Sequence, residues 1–368
     1  MIRDVMESKA GTIHPDVYQA YSDNLRKAVS GVFRSDDYGD KYFDLQAQLQ
    51  SNVSRFAAYK AYHLTEQLKK QREKWADDDE YRKVAKAVLN TFNRYQAAEY
   101  NTATARARTA KQWTDFTSDP IANELYPNLK WLPSRSANPR EEHIVFYGLV
   151  LPKTDPFWQE NQPGNLWNCK CDWEETDDPA ANERPATVCA KGLEGNPAET
   201  GEIFTKECTY FAQAVRNRRE RDEVEEACER SNKNYVLDIA SKTIVGKPGK
   251  CHIGETEVEV EFELKRLRHY ADSMFGNKNF YWVKNEIIQD LPQYIESAIC
   301  KGRKRSDSSH NQNRNTINLK DATDYFYYFE TKLPNGETAY IHLGRWRETQ
   351  KMYIYAITKN LPENIETI

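Results

Sequence analysis

Three side chains in the middle of this 368-residue sequence have the chemistry of a metal centre: His143, Cys169 and Cys171. Thiolate and imidazole are the ligands zinc prefers, and these three converge if the chain folds back between them. A fourth ligand would be Cys189, Asp172 or water. The competing reading is that Cys169 and Cys171 are small packing residues and that His143 hydrogen-bonds the surrounding loop. Cys-x-Cys lacks the two-residue gap of zinc knuckles, and the sequence contains no second closely spaced pair. No HExxH or comparable motif accompanies the trio, so a metal-dependent enzyme ranks last. The 7 cysteines are odd in number and irregularly spaced, as suits free thiols or metal ligands better than disulfides.

The elements around these residues change character along the chain. Val17, Tyr21, Leu25, Ala28, Val29, Val32 and Phe33 recur at helical spacing, as do Leu45, Leu49, Val53, Phe56 and Leu64 between Phe43 and Arg72. The acidic run Asp77-Asp78-Asp79-Glu80 suits a helix N-terminus. The helix it opens carries Val84, Val88, Phe92 and Tyr95 and is expected to run towards Trp113. From Leu129 closely spaced prolines and aromatic residues replace the long helices, as in a compact, loop-rich α+β module. The polar stretch Asp177 to Pro197 reads as a wrap-around or linker, and a charged helix is expected from Thr209 to Asn232. The alternation Val258 to Leu264 fits a strand or the start of the next helix. Further on, a helix is expected from Asn285 to Cys300, weakened by Pro292. A basic loop from Lys301 to Arg314 should follow, then strands Tyr325 to Thr331 and Thr338 to Leu343 joined at Asn335-Gly336, and a strand Met352 to Thr358.

Composition bounds the class. With 39% hydrophobic and 29% charged residues the chain can build a real core. Residues from Phe262 onward hold 16 Lys and Arg against 13 Asp and Glu, whereas the preceding part holds 36 against 43. A mildly basic end after an acidic body points to two kinds of partner. No basic-then-apolar leader opens the sequence and no apolar run nears the roughly 18 residues of a membrane span, so a soluble protein made in a cytoplasm is expected.

One combination of elements resembles the Mu F-like head morphogenesis family of tailed phages. It comprises Leu129 to Leu132, Pro139-Arg140-Glu141-Glu142-His143, Tyr147 to Pro152, Asp155-Pro156-Phe157-Trp158, Pro163 and Trp167-Asn168-Cys169-Lys170-Cys171. The helix around Tyr100 to Arg106 and the segment Asn196 to Phe204 add to it, so the resemblance covers about Val17 to Phe211. It departs from the commonest pattern at Ser134 to Asn138, where many members have acidic residues. The resemblance implies a minor head protein in the procapsid, associated with portal and capsid proteins, needed for head assembly or DNA delivery, and found in the bacterial cytoplasm during assembly and then in the virion.

The last hundred residues resemble the barnase–EndoU–colicin–RelE-like nuclease modules carried by phage head proteins. The likeness rests on Arg268-His269-Tyr270, the basic loop, Tyr340 to Arg345 and Tyr353 to Thr358. Metal-free RNA cleavage needs a base for the 2′-hydroxyl proton, an acid for the leaving oxygen and a cation for the phosphorane charge. His269 and His342 are the acid–base candidates, Arg345 the cation and Thr358 a phosphate hydrogen-bond donor. Lys301, Arg303, Lys304 and Arg305 would grip the nucleic-acid backbone, whether phage DNA or host RNA. Surface positions for the histidines and a solvated basic linker are the competing readings.

The expected fold is therefore α+β: a helical arm over 1–118, a compact Cys/His module over 119–211, a helical or irregular linker over 212–262 and a nuclease-like domain with an antiparallel sheet over 263–368. The expected function is a phage minor head protein with a metal-independent ribonuclease at its end. The alternative is a structural head protein whose end binds DNA or portal without catalysis. No cofactor is required for the ribonuclease, and zinc is the one the central trio would take.

Overall fold

The computed structural model describes residues 1–33, 40–212, 218–272, 287–306, 323–333 and 337–368. Its fold is α+β, as expected, with a helical N-terminal part and a curled C-terminal sheet. The chain divides into two compact units, one of residues 1–37 and 48–231, the other of residues 38–47 and 232–368. The stretch expected as a linker, 212–262, carries the whole of the helix Arg218–Thr243 and two strands of the C-terminal sheet.

In the first unit the long helices bury the stripes read from the sequence. Helix Pro15–Ser30 buries Tyr18, Tyr21, Leu25, Ala28 and Val29, and helix Asp40–Lys74 buries Leu49, Val53, Phe56 and Leu64. Asp77 caps the helix Asp78–Arg94 by accepting from the amides of Asp79 and Glu80, which satisfies donors no helical carbonyl can reach. That helix does not run on to Trp113. It ends at Arg94, and after Tyr95 a separate helix, Gln96–Ser118, begins.

Helix Gln96–Ser118 supports the central module, and its buried stripe of Thr102, Ala103, Arg106, Ala107, Thr109, Ala110 and Trp113 is made largely of small residues. Arg106 is fully buried and donates to the carbonyls of Leu193, Glu194, Gly195 and Glu202. Burial holds its pKa down at about 10, still well above neutral, so it remains a cation. One guanidinium thereby gathers the returning segment 193–202 onto the helix. Gly164 lies against it with positive φ, where a Cβ would meet the Arg106 side chain at 3.2 Å. The module's sheet is three antiparallel strands in the order β2 (Val150–Pro152), β1 (Asn128–Leu132), β3 (Asp172–Thr176). Trp131, Phe146, Phe157, Trp158 and Trp173 form its core.

The second unit is built on six strands in the order β4-β5-β9-β8-β7-β6. These are β4 (Gly249–Ile253), β5 (Thr256–Glu261), β6 (Ile299–Arg305), β7 (Thr323–Lys332), β8 (Thr338–Trp346) and β9 (Met352–Thr358). All neighbours are antiparallel except β5 and β9, which pair in parallel only at Met352 and Tyr353. The alternating run near Val258 is thus a strand, and the helix Leu264–Asp272 starts after it. Pro292 sits in the first turn of the short helix Leu291–Ser297, where a missing N–H costs nothing. Lys301 to Arg305, expected in a loop, lie in β6: Gly302 to Arg305 pair with Tyr328 to Tyr325, and Lys301 falls at a bulge between the paired Cys300 and Gly302. The hairpin turn at Asn335-Gly336, the remainder of the expected basic loop (307–314) and the start of the expected helix at Asn285 lie outside the described residues.

One face of this sheet is the core. Tyr327 and Phe329 of β7, Ile341 and Leu343 of β8, and Ile354 and Ile357 of β9 pack there with Leu267, Tyr270, Leu291 and Ile295 from the helices. The register puts Phe326, Tyr328, His342, Gly344 and Tyr353 on the opposite face. Tyr355 is an extra residue in β9, opposite the step from His342 to Leu343, so β9 bulges and β8 runs straight.

Candidate metal centre and the aromatic face of the C-terminal sheet

The Cys/His cluster is assembled from three short elements. Helix Glu141–Ile144 presents His143, which is completely buried. Arg140, just before that helix, donates through Nε and Nη2 to the carbonyl of Trp167, tying the helix to the segment that enters Cys169. The turn itself is fixed by Asn168 at φ 61°, a left-handed conformation that asparagine tolerates better than most residues. Its amide donates to Thr102 Oγ1 and its side chain accepts from Asn101, both on the supporting helix. Cys171 then leads directly into β3, whose pairing with β1 sets Trp131 opposite Trp173.

His143 Nδ1 lies 3.3 Å from Cys169 Sγ and 3.7 Å from Cys171 Sγ. The three ligand atoms all fall within 4.8 Å of one another. Zinc bonds of about 2.3 Å to sulfur and 2.0–2.1 Å to nitrogen at a tetrahedral angle separate N from S by about 3.6 Å, so the two measured separations bracket the requirement. The Cys169 thiol is pulled well below its ordinary value, to about 4, by hydrogen bonds from Cys171 and His143 acting against burial. The Cys171 thiol is pushed up, because it donates to that neighbouring thiolate and because it is buried. A divalent ion between them would favour both sulfurs as thiolates.

The donor set fits zinc with one coordination position open. Among the described residues no fourth His, Cys, Asp or Glu joins the cluster. Cys189 donates to the Ala190 carbonyl, its thiol pushed up to about 11 by burial. Asp172 accepts from Gln112 and pairs with Arg135. Three buried polar atoms at the cluster have no hydrogen-bond partner: His143 Nε2, Trp131 Nε1 and the Tyr147 hydroxyl. Trp131 and Tyr147 nonetheless favour the Cys171 thiolate, against the larger opposing effects of Cys169 and of burial.

In the C-terminal unit the structure gathers some of the expected residues and separates others. His342 Nε2 is 2.9 Å from Thr358 Oγ1, and that hydroxyl donates to the Asn360 carbonyl. With its proton so placed, Thr358 accepts from the imidazole, so Nε2 carries the hydrogen and Nδ1 is the acceptor of the ring. Tyr328 packs edge-on to His342 at 4.7 Å. Burial pulls the His342 pKa down to about 4, so the ring is neutral at neutral pH. His269 lies over Tyr355 at 4.5 Å, and Tyr355 meets Phe326 at 4.9 Å. His269, His342 and Thr358 therefore share one face of the sheet.

Arg345 is on the other face. Three residues along a straight strand reverse the side-chain direction, and its guanidinium makes a two-pronged pair with Asp324 at 3.0 and 2.7 Å. Of the basic residues, Lys301 pairs with Glu330. Arg303 stacks 4.4 Å from the centre of Tyr325 and pairs with Glu366, and Lys304 donates to the Glu363 carbonyl. Arg305 is exposed at the end of β6.

Two arginines with strong structural roles were not singled out from the sequence. Arg106 was detectable as a charge placed at helical spacing within an Ala/Thr stripe. Arg266 had no comparable signal. It is 8% exposed, with its guanidinium 4.6 Å from the Trp346 ring and 4.8 Å from the Tyr353 ring.

No protein-family model matches this chain, and no solved structure matches it. A stretch of 87 residues is 31% identical to the putative capsid assembly protein F of Escherichia phage Mu, covering 24% of this chain and 19% of that protein. The chain thus spans about a fifth of the length of the curated relative it matches. Among the described residues no helix is long and apolar enough to cross a membrane.

Proposed function

We propose that the chain is a phage minor head protein acting with portal and capsid proteins in head assembly or DNA delivery, with its central module locked by zinc on His143, Cys169 and Cys171. The observation that carries the reading is the convergence of the three ligand atoms at zinc-like separations, in a chain with partial similarity to a capsid assembly protein. The ion's place in this scheme is structural. It would join helix Glu141–Ile144 to the start of β3 and neutralise two buried thiolates. Deleting the gene from the phage or prophage that encodes it should stop production of infectious heads, and the wild-type protein should be found in purified virions. Normal infectivity without it, or its absence from virions, would overturn the head role.

The C-terminal unit is proposed to bind nucleic acid and cleave RNA without metal. The shared face of His269, His342 and Thr358 supports this, with His342 Nδ1 as proton acceptor and His269 as the second acid–base group. Lys301, Arg303, Lys304 and Arg305 would contact the backbone from β6. The non-catalytic alternative, a unit that binds DNA or portal, is favoured by Arg345, whose charge is already matched by Asp324 away from the histidines. Incubating the full chain with RNA in EDTA separates the two. Cleavage that His342→Ala abolishes supports the ribonuclease, and intact RNA supports the binding module.

A further inference from the structure

The face that carries His269, His342 and Thr358 also holds a cation, Arg266. Arg266 precedes His269 by three residues on the helix Leu264–Asp272, so the two side chains leave the helix on the same side. Both reach rings of β9: Arg266 lies over Tyr353 and His269 over Tyr355. Gly344 makes room for this arrangement, since a Cβ there would come within 2.3 Å of the Tyr353 ring. The Tyr353 hydroxyl is held by Thr323 at 2.7 Å. Arg266 is more than nine-tenths buried, yet its Nε has no hydrogen-bond partner and its carboxylate neighbour, Glu263, is 3.8 Å away. A buried guanidinium held on aromatic rings and left short of acceptors is set up to receive an anion.

The surroundings specify the kind of anion. Trp346, Tyr355 and Phe326 are half-buried rings beside the cation, and His269 is exposed. Flat apolar surfaces beside a guanidinium suit a ligand that joins phosphate to planar bases. Tyr353, under the guanidinium, pairs with Gly344, two residues from His342 on β8, so the cation and the imidazole are offset by about 7 Å along the strand. We propose that Arg266 is the phosphate-binding residue of a single-stranded nucleic-acid site on this face, taking the role that the sequence suggested for Arg345. This rests on the reading of the C-terminal unit as one that handles nucleic acid.

The test uses the full chain and a fluorescein-labelled single-stranded RNA of mixed sequence, with binding followed by anisotropy in EDTA at several salt concentrations. Losing a charged hydrogen-bonded contact of this kind should weaken binding about 10- to 100-fold in Arg266→Gln. The salt slope should fall by about 0.7, the share of one phosphate on a single strand. Arg266→Lys should keep the slope and bind at an intermediate level, which a merely structural role would not produce. Arg345→Gln, on the other face, should bind like wild type. Photo-crosslinking of RNA to the wild-type chain should map to Trp346, Tyr355 or Phe326, and this arm stands even if Arg266→Gln does not fold. Binding that depends on Arg266 without any cleavage would support the site and refute the ribonuclease. Cleavage and binding unaltered by Arg266→Gln, or crosslinks confined to β6, would overturn the Arg266 assignment and leave the ribonuclease standing. A wild-type chain that binds no RNA would overturn both.

Discussion

Replacing Cys171 by serine should remove one of three ligands from a buried site and release the ion. The zinc-bound form is stabilised over the empty one according to how far free zinc exceeds its dissociation constant, by about 4 kcal/mol at a thousandfold excess. For a unit of roughly 200 residues each kcal/mol moves the melting temperature by about 2–4 °C, so chelation or Cys171→Ser should lower it by about 8–16 °C. The geometry explains why the loss would be felt as stability. His143 and Cys171 sit on elements 28 residues apart in sequence, and the ion would cross-link them inside the module's core while neutralising two buried thiolates. The assay is metal content per chain by elemental mass spectrometry, together with thermal melting with and without chelator. Cys189→Ser is the control and should retain the metal, since that thiol lies outside the cluster. Because the ligands must lose their protons, metal should also be released as the pH falls. Protein purified with no metal, melting alike in EDTA and as Cys171→Ser, would refute the reasoning and leave the two cysteines as packing residues.

Two further outcomes follow from buried polar groups. Arg106→Met should destabilise the first unit by about 3–5 kcal/mol in denaturant titrations, because it strips the cation from four carbonyls gathered around it; a loss under about 1 kcal/mol would show that the segment 193–202 is held by other contacts. His342, with its pKa lowered from 6.5 to about 4, binds a proton in the unfolded chain before it does in the folded one. Its contribution is therefore fully present above pH 6.5 and drains away as the pH falls towards 4, by up to about 3 kcal/mol. His342→Gln should flatten the stability profile across that window, and an unchanged slope would mean the ring is not buried in solution.

Much of the architecture is carried by periodicity, which is local and survives in the sequence. Tyr21, Leu25 and Val29 mark one buried helical face, and Leu49, Val53 and Phe56 another. Asp77 announces a helix start by its position before an acidic turn, and the aromatic runs of β7, β8 and β9 alternate as paired strands do. The types of the metal-ligand candidates were legible for the same reason: thiolate and imidazole have few equivalents. Their convergence was not, because it depends on Asn168 turning left-handed against Thr102 and on Arg140 holding the Trp167 carbonyl, contacts between residues 27 to 66 positions apart. Lys301 to Arg305 read as a loop because charge dominates their composition, yet pairing of Gly302 to Arg305 with Tyr328 to Tyr325 made them part of a strand. The separation of Arg345 from His342, and the meeting of Arg266 with Tyr353 and Trp346, were likewise decided by tertiary structure. A strand's own sequence says that residues three apart face opposite ways only once it is known to run straight. In this sheet the bulges fell in β6, β7 and, at Tyr355, in β9, and spared β8, a choice made by backbone pairing across strands that no single segment contains.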